Sequence, residues 1–503
     1  MTPTRDYSLE EFVSVDLNQT NIDPDDPQYQ PMLEDLQGNI LKSHGRDYSA
    51  HIFIKFKSDP DAAKKWISNF AEDFVTSAKK QLDNSARYRR SNRQVSGGLF
   101  ANFFLSARGY QSLGFNLVVA TDSNFPSATF IAGLQAYQKQ LYDPPVGEWE
   151  EGFQDKIHAL ILLADDNHDN LEEQAKKVME DVGAVADIVN TQAGIALRNE
   201  KEQVIEHFGF TDGVSQPLFL KRDIDRAKEQ GTDKWDPSAP LGLVLIQDPF
   251  GQGEDSFGSY CVFRKLEQDV RGFKAKEQEL AKTLGLKGID AQRVGALVVG
   301  RFRDGTPVTL SAEEESAESN LNNFNYDGDQ YGSQCPFHAH IRKANPRGDK
   351  NDTGETLEKQ RTHRIARRAI SYGETPNVRN KSLSKQDRFH NQLRHLKEVK
   401  LQLAEEETVG LLFLCAQSDI FNQFMFMQKS WANNQNFVKY KTGLDAVTGQ
   451  GTQQTGGQNW SKEWGKPDTV QFDFSHFVTM KGGEFFFAPS MSFLKTIESL
   501  PVA

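Results

Sequence analysis

Hydrophobic positions along the first half of the chain recur with two different periods. In residues 51–57 (HIFIKFK), Ile52, Ile54 and Phe56 alternate with other residues, which predicts a strand. Asp59-Pro60 then predicts a helix start, with Asp as the cap and Pro at the first helical position. Ala63, Trp66, Ile67, Phe70 and Phe74 form the apolar stripe of that helix. Residues 98–105 (GLFANFFL) read as an aromatic strand and 157–164 (IHALILLA) as a buried one. Residues 170–182 carry Leu171, Ala175, Val178 and Val182 at helical spacing, and 184–197 read as a further strand.

The second half has the same texture. Strands are predicted over 241–246, 259–263, 409–415 (VGLLFLC) and 483–488 (GEFFFA), and a charged helix over 266–284. Ile420, Phe424, Met427 and Trp431 mark one face of another helix. Strands sometimes follow one another without an intervening helix, which predicts an α+β fold with antiparallel sheet. Loop-rich stretches cover 313–334, 343–358 and 442–460, lengths that in a compact protein point to function or insertion. Residues 1–32 are polar and read as an arm. A boundary near 215–240 divides the rest into domains of 33–225 and 226–503.

Composition narrows the classes. Of 503 residues, 37% are apolar, enough for a packed core. A formal net charge of -12 argues against nucleic acid or anionic membrane as the main partner. Cys261, Cys335 and Cys415 are too few and too far apart for a disulfide framework, so free buried thiols are expected. No signal peptide and no apolar run of membrane-spanning length is visible, which leads to an expectation of a soluble, cytoplasmic protein. The sequons at Asn18, Asn351, Asn380 and Asn459 are then expected to be chance. No H-E-x-x-H, P-loop or G-x-G-x-x-G is present.

Four stretches carry candidate chemistry. EHFGFTDGVSQP (206–217) contains G-x-x-D-G, with Gly209 and Gly213 bracketing Asp212 in a tight backbone. CPFHAHIRKANPR (335–347) offers His338 and His340 beside Arg342 and Lys343. A neutral imidazole can ligate haem iron and cations can pair with its propionates. RIARRAISYG (364–373) contains Arg367, whose permanent charge can stabilise developing negative charge. QFDFSHFVTMKGGEFFFAPS (471–490) places Asp473 among aromatics, where a buried carboxylate needs a partner such as the second nitrogen of a ligating His.

Together with GLLFLC, QSDIFNQFMFMQ and GGEFFFAPS, and in the same order, these stretches resemble the motif series of the dye-decolourising peroxidases. DLQGNIL (35–41) resembles the opening segment of the larger, cyanobacterial-like members. The resemblance implies two ferredoxin-like halves with antiparallel sheets, a dimeric α+β barrel-like fold with the haem pocket mainly in the second half. It implies haem b, one per chain, and hydrogen peroxide as oxidant for dyes, phenols and other aromatic donors through a ferryl intermediate. Residue by residue, it implies His340 as axial ligand of the iron, and Asp212 and Arg367 as the catalytic pair. Leu411 and Phe413 are implied as apolar cavity wall and Asp473 as the carboxylate on the ligand His, with Asp419 the fallback. Arg342 is a propionate partner, and Gly209 and Gly213 lie against the cofactor. RRAISYG departs from the family pattern in having Ala369 and Ser371 where members often have Gly and Pro. Tyr372 and Trp431 are candidate electron relays to bulky donors.

Two other readings compete. A haem carrier on the same fold needs His340 but neither Asp212 nor Arg367. A non-haem metalloenzyme would use His338, His340 and a carboxylate. For the peroxidase, an Asp base predicts an acidic optimum, since its ordinary pKa is near 4 rather than the 6.5 of His.

Overall fold

A computed structural model describes residues 15–91, 95–119, 125–314, 321–349, 354–376, 382–399, 407–453 and 456–500. Asn351 and Asn380 lie outside the described residues, as do parts of the 313–334 and 343–358 loops.

Eight long strands carry the fold: β1 (Tyr48–Phe56), β2 (Phe100–Leu105), β3 (Ala159–Asp165), β4 (Ala186–Ile195), β5 (Phe257–Gln268), β6 (Ile370–Glu374), β7 (Thr408–Gln417) and β8 (Val478–Ala488). Within the first half their order across the sheet is β4-β1-β3-β2, and within the second it is β6-β7-β5-β8. Numbered by position within each half, both read 4-1-3-2 or its reverse, the order of an antiparallel ferredoxin-like sheet. β4 bridges β6 through Ile195 and Ser371, and β8 bridges β2 through Phe487 and Leu105, so the two sheets close into one barrel.

Closure explains a feature that alternation along β1 does not predict. Ile52, Ile54 and Phe56 are buried as expected, but so is Phe53 on the opposite face. Phe53 meets Phe263 of β5, a strand from the other half, at a ring-centroid distance of 4.8 Å. One face of β1 fills the barrel interior and the other lies under helices, so both faces are apolar over Ile52, Phe53 and Ile54. Helix α1 (Pro60–Asp73) is capped by Asp59, which accepts from the Ala62 amide at 3.0 Å. Its Trp66 stacks on Phe70 and Phe70 on Phe74. Helix α2 (His168–Val182) starts at the Asn167 cap and buries Leu171, Ala175, Val178 and Val182.

Several elements differ from the sequence expectation. β5 extends to Gln268, and helix α3 (Val270–Leu284) starts only after Asp269 caps it by accepting from Gly272 at 2.8 Å. The strand expected over 241–246 is a tight turn at Leu241–Leu243 followed by the short strand Ile246–Gln247. Pro240, which has no N–H for a ladder, precedes the turn. The helix after β7 is built of wide, π-type turns, Phe421–Met425 and Met427–Ala432. The segment expected as an arm is packed over its described part: Val15, Ile22, Tyr29 and Met32 are buried. No helix among the described residues is long and apolar enough to cross a membrane.

Candidate active site

The G-x-x-D-G segment is a folded turn. Gly209 and Gly213 have φ of +97° and +75°, values that favour glycine. The Glu206 carboxylate accepts from the Phe208 and Phe210 amides, each at 2.9 Å, and from Gln268 Nε2 at 2.6 Å. The Asp212 amide donates to the Val204 carbonyl at 2.8 Å, so the residue is held from behind while its carboxylate projects forward. Arg367 arrives on the short strand Ala366–Arg367, paired with β7, and its amide donates to Gln216 Oε1 at 3.0 Å. Its guanidinium grips Asp212 in a two-point ion pair. Nη1 reaches Oδ2 at 3.1 Å and Nη2 contacts Oδ1. Burial alone would raise the Asp212 pKa, but Arg367 and the Gly213 amide outweigh it and hold the carboxyl below its usual value.

His340 opens helix α4 (His340–Ala344). Its Nδ1 pairs with Asp445 Oδ2 at 2.9 Å. Asp445 is fully buried, and its other oxygen accepts from the Val447 and Thr448 amides at 2.8 and 2.9 Å. Burial disfavours the charged imidazole, yet Asp445 outweighs that and raises the His340 pKa. No protein group among the described residues hydrogen-bonds Nε2, and the side chain keeps 31% of its surface accessible where it lines a cavity.

That cavity, of about 330 Å³, also takes in Asp212, Arg367 and Gly213. Its apolar wall is the outer face of the second-half sheet. Met480, Leu266 and Leu411 sit side by side across β8, β5 and β7, and Phe413 follows two residues on. Three buried arginines, Arg301, Arg347 and Arg364, also line it, and none has a carboxylate at ion-pair distance among the described residues. Burial pushes their pKa values down to about 10, 9 and 9 respectively. They remain cations that lack an anion. Arg347 also stacks on Trp235, 4.7 Å from the ring centre.

The structure thus gathers His340, Asp212, Arg367, Leu411, Phe413 and Gly213 around one space and leaves other expected residues out of it. Asp473 is exposed and accepts from Ser475 Oγ at 2.8 Å; Asp445 occupies the place expected for it beside His340. Asp419 caps a helical turn by accepting from the Asn422 amide at 3.0 Å. Arg342 is consumed by Asp349 at 2.6 Å and Asp329 at 2.8 Å, a buried network away from the cavity, and Arg347 lines the cavity instead. Gly209 stands back from the wall and serves the turn. Tyr372 and Trp431 are buried and present no ring to solvent. His338 packs edge-on against Trp460, and burial pushes its pKa down to about 3. Among the described residues, the one cluster with metal-binding spacing is His168, Asp169 and Glu172, which contains neither His338 nor His340.

Comparison with known proteins places this fold in a family. Residues 35–196 match the family model described as the DyP dimeric alpha+beta barrel domain. The chain is 39% identical over 478 residues to the multifunctional dye peroxidase DyP2 of an Amycolatopsis species, covering 93% of this chain and 96% of that protein. Its structure resembles a DyP-type peroxidase from an Anabaena species, with a TM-score of 0.84 and 45% identity, covering 96% and 99% of the two chains. It also resembles a dye-decolourising peroxidase solved in complex with 2,6-dimethoxyphenol, with a TM-score of 0.69 and 25% identity, covering 93% and 99%. The chain belongs to the dye-decolourising peroxidase family. It is a peroxidase on a barrel of two ferredoxin-like halves, and its family implies haem.

Proposed function

We propose that the cavity holds one haem b and that the enzyme uses hydrogen peroxide to oxidise dyes, phenols and other aromatic donors. One observation carries the reading. A single cavity contains a histidine with Nδ1 tied to a buried carboxylate and Nε2 free, together with a paired carboxylate and guanidinium. The unpaired arginines support the fit, because buried cations need an anion and the haem propionates would supply two. His340 would hold the iron, the Leu266–Leu411–Phe413 wall would cover the porphyrin, and Arg347 with Arg301 or Arg364 would pair with the propionates.

When bound, haem supplies a redox-active iron that takes up the oxidising power of peroxide and passes it to donors in one-electron steps. The residues divide the remaining work. Asp212 accepts a proton from one peroxide oxygen and returns it to the other, which departs as water. Arg367 stabilises the negative charge that builds as the O–O bond breaks. Asp445 keeps the His340 Nδ1 proton in place, which fixes the tautomer and enriches the ring in electrons. The presence of both Asp212 and Arg367 favours this reading over a haem carrier, which needs neither.

The test is direct. Titration with haem b should saturate at one per chain with a Soret band, and the loaded protein should oxidise 2,6-dimethoxyphenol only with peroxide. Saturation without peroxide-dependent turnover would leave the carrier reading standing.

The low pKa of Asp212 sets a pH expectation. The base must be ionised, so the rate with peroxide should hold from neutrality down to the ordinary carboxylate range near 4 and decline only below it. Stopped-flow rates across pH 3–7 check this. A rate already falling below pH 6 would count against Asp212 as the base.

A further inference from the structure

Lys343 lies one turn beyond His340 on α4 and is fully buried. Its Nζ donates to the Gly443 carbonyl at 2.6 Å and to the Asn434 carbonyl at 2.8 Å. Both acceptors belong to the segment that delivers Asp445. That segment closes on itself where the Gly443 amide meets the Gln435 carbonyl at 3.0 Å, and the Asp445 amide bonds to Ala432 at 2.9 Å. Lys343 therefore sits at the neck of the loop and ties it to the helix that carries His340.

Among the described residues Lys343 has no carboxylate at ion-pair distance, and such a buried lysine is an expensive way to join two segments, where an apolar side chain would fill the volume at lower cost. What lysine adds is two directed N–H bonds, one to the carbonyl two residues before Asp445 and one to the Asn434 carbonyl at the start of the same segment. Burial pushes its pKa down to about 7, with Asp445 pulling the other way. Both the ammonium and the amine have N–H groups for the two carbonyls, so the tie survives in either form.

We propose that Lys343 is a positioning residue for the His340–Asp445 couple. It sets where Asp445 stands against Nδ1, and through that the electron richness of the imidazole offered to iron. The inference rests on the haem reading of the cavity.

The experiment uses the full chain loaded with haem b and compares Lys343→Met, Lys343→Gln and Asp445→Asn with the wild type. The readouts are the iron–imidazole stretching frequency of the ferrous form by resonance Raman and the ferric/ferrous reduction potential. Asp445→Asn weakens the acceptor on Nδ1, so its frequency should drop and its potential rise. Lys343→Met should move both in the same direction, part of the way. Lys343→Gln, whose amide still has two N–H groups, should fall between it and the wild type. A Lys343→Met protein that is less heat-stable but has wild-type frequency and potential would overturn the proposal, as would shifts of opposite sign. Should Lys343→Met not accumulate as folded protein, Lys343→Gln decides by the same two readouts. A wild type without an iron–imidazole band would overturn the haem reading and this inference with it, a failure distinguishable because it appears before any substitution.

Discussion

If Asp212 carries the proton as proposed, Asp212→Asn should slow the reaction with hydrogen peroxide by about 10²–10⁴-fold, the range expected when a positioned proton carrier is lost. Asparagine has nearly the same shape, and its carbonyl can still accept one N–H from Arg367, so the loop keeps its place. The Asp212 amide bond to Val204 and the Glu206 clamp on the turn do not involve the substituted group. The His340–Asp445 contact does not involve Asp212 and should be unchanged, and haem content should hold because the residues proposed to grip the haem are left in place. The missing function is the ability to take a proton and give it back. Stopped-flow mixing with peroxide isolates that step, and the later oxidation of 2,6-dimethoxyphenol should proceed at the wild-type rate once the oxidised enzyme has formed. An unchanged rate with peroxide at wild-type haem content would assign the proton transfer to another group.

Local chemistry made part of this molecule readable from the chain. The alternation of Ile52, Ile54 and Phe56 predicted β1, and the Asp59-Pro60 pair predicted the start of α1, because both signals lie within a few residues of their effect. Barrel closure has no such signal. Its seams are the bridges Ile195–Ser371 and Leu105–Phe487, pairings between residues 176 and 382 apart in sequence (371 − 195 and 487 − 105). The site divides in the same way. Asp212 and Arg367 sit in recognisable motifs, and the structure places them in contact. The partner of His340 lies 105 residues away, in the 442–460 loop, where length alone marked a region of interest. Asp445 and Asp473 both have apolar neighbours in sequence. Only the fold shows that one is buried against His340 and the other faces water. The choice between Arg342 and Arg347 was equally hidden, since it depends on where Asp329 and Asp349 come to rest.

Arg367→Leu should cost about 10²–10³-fold in the rate with peroxide, comparable to removing one group aimed at a developing charge in other active sites. It should also shift the pH profile, whereas Asp212→Asn removes the titrating carboxyl and with it the acid limb that group sets. In the wild type, burial favours the neutral Asp212 carboxyl and Arg367 overrides it. Without the guanidinium, burial is opposed chiefly by the Gly213 amide, which donates at 2.8 Å, and the Asp212 pKa rises. The acid limb of the rate should therefore move to higher pH. Stability should change with the same sign logic. In the wild type the depressed pKa contributes stability above the unfolded-state value near 4, lost as pH falls through the folded value. In the variant the raised pKa reverses this, with stability present at low pH and lost as pH rises through the new folded value. The loss at neutral pH should stay below the roughly 3–5 kcal/mol of a fully buried pair. Asp212 and Arg367 keep 19% and 25% of their side-chain surface accessible, so the abandoned carboxylate can recover some hydration. Urea unfolding at pH 4 and pH 7, alongside stopped-flow rates over the same range, measures both effects. A slower enzyme whose acid limb has not moved would mean that Arg367 acts on the substrate alone and does not set the charge of Asp212.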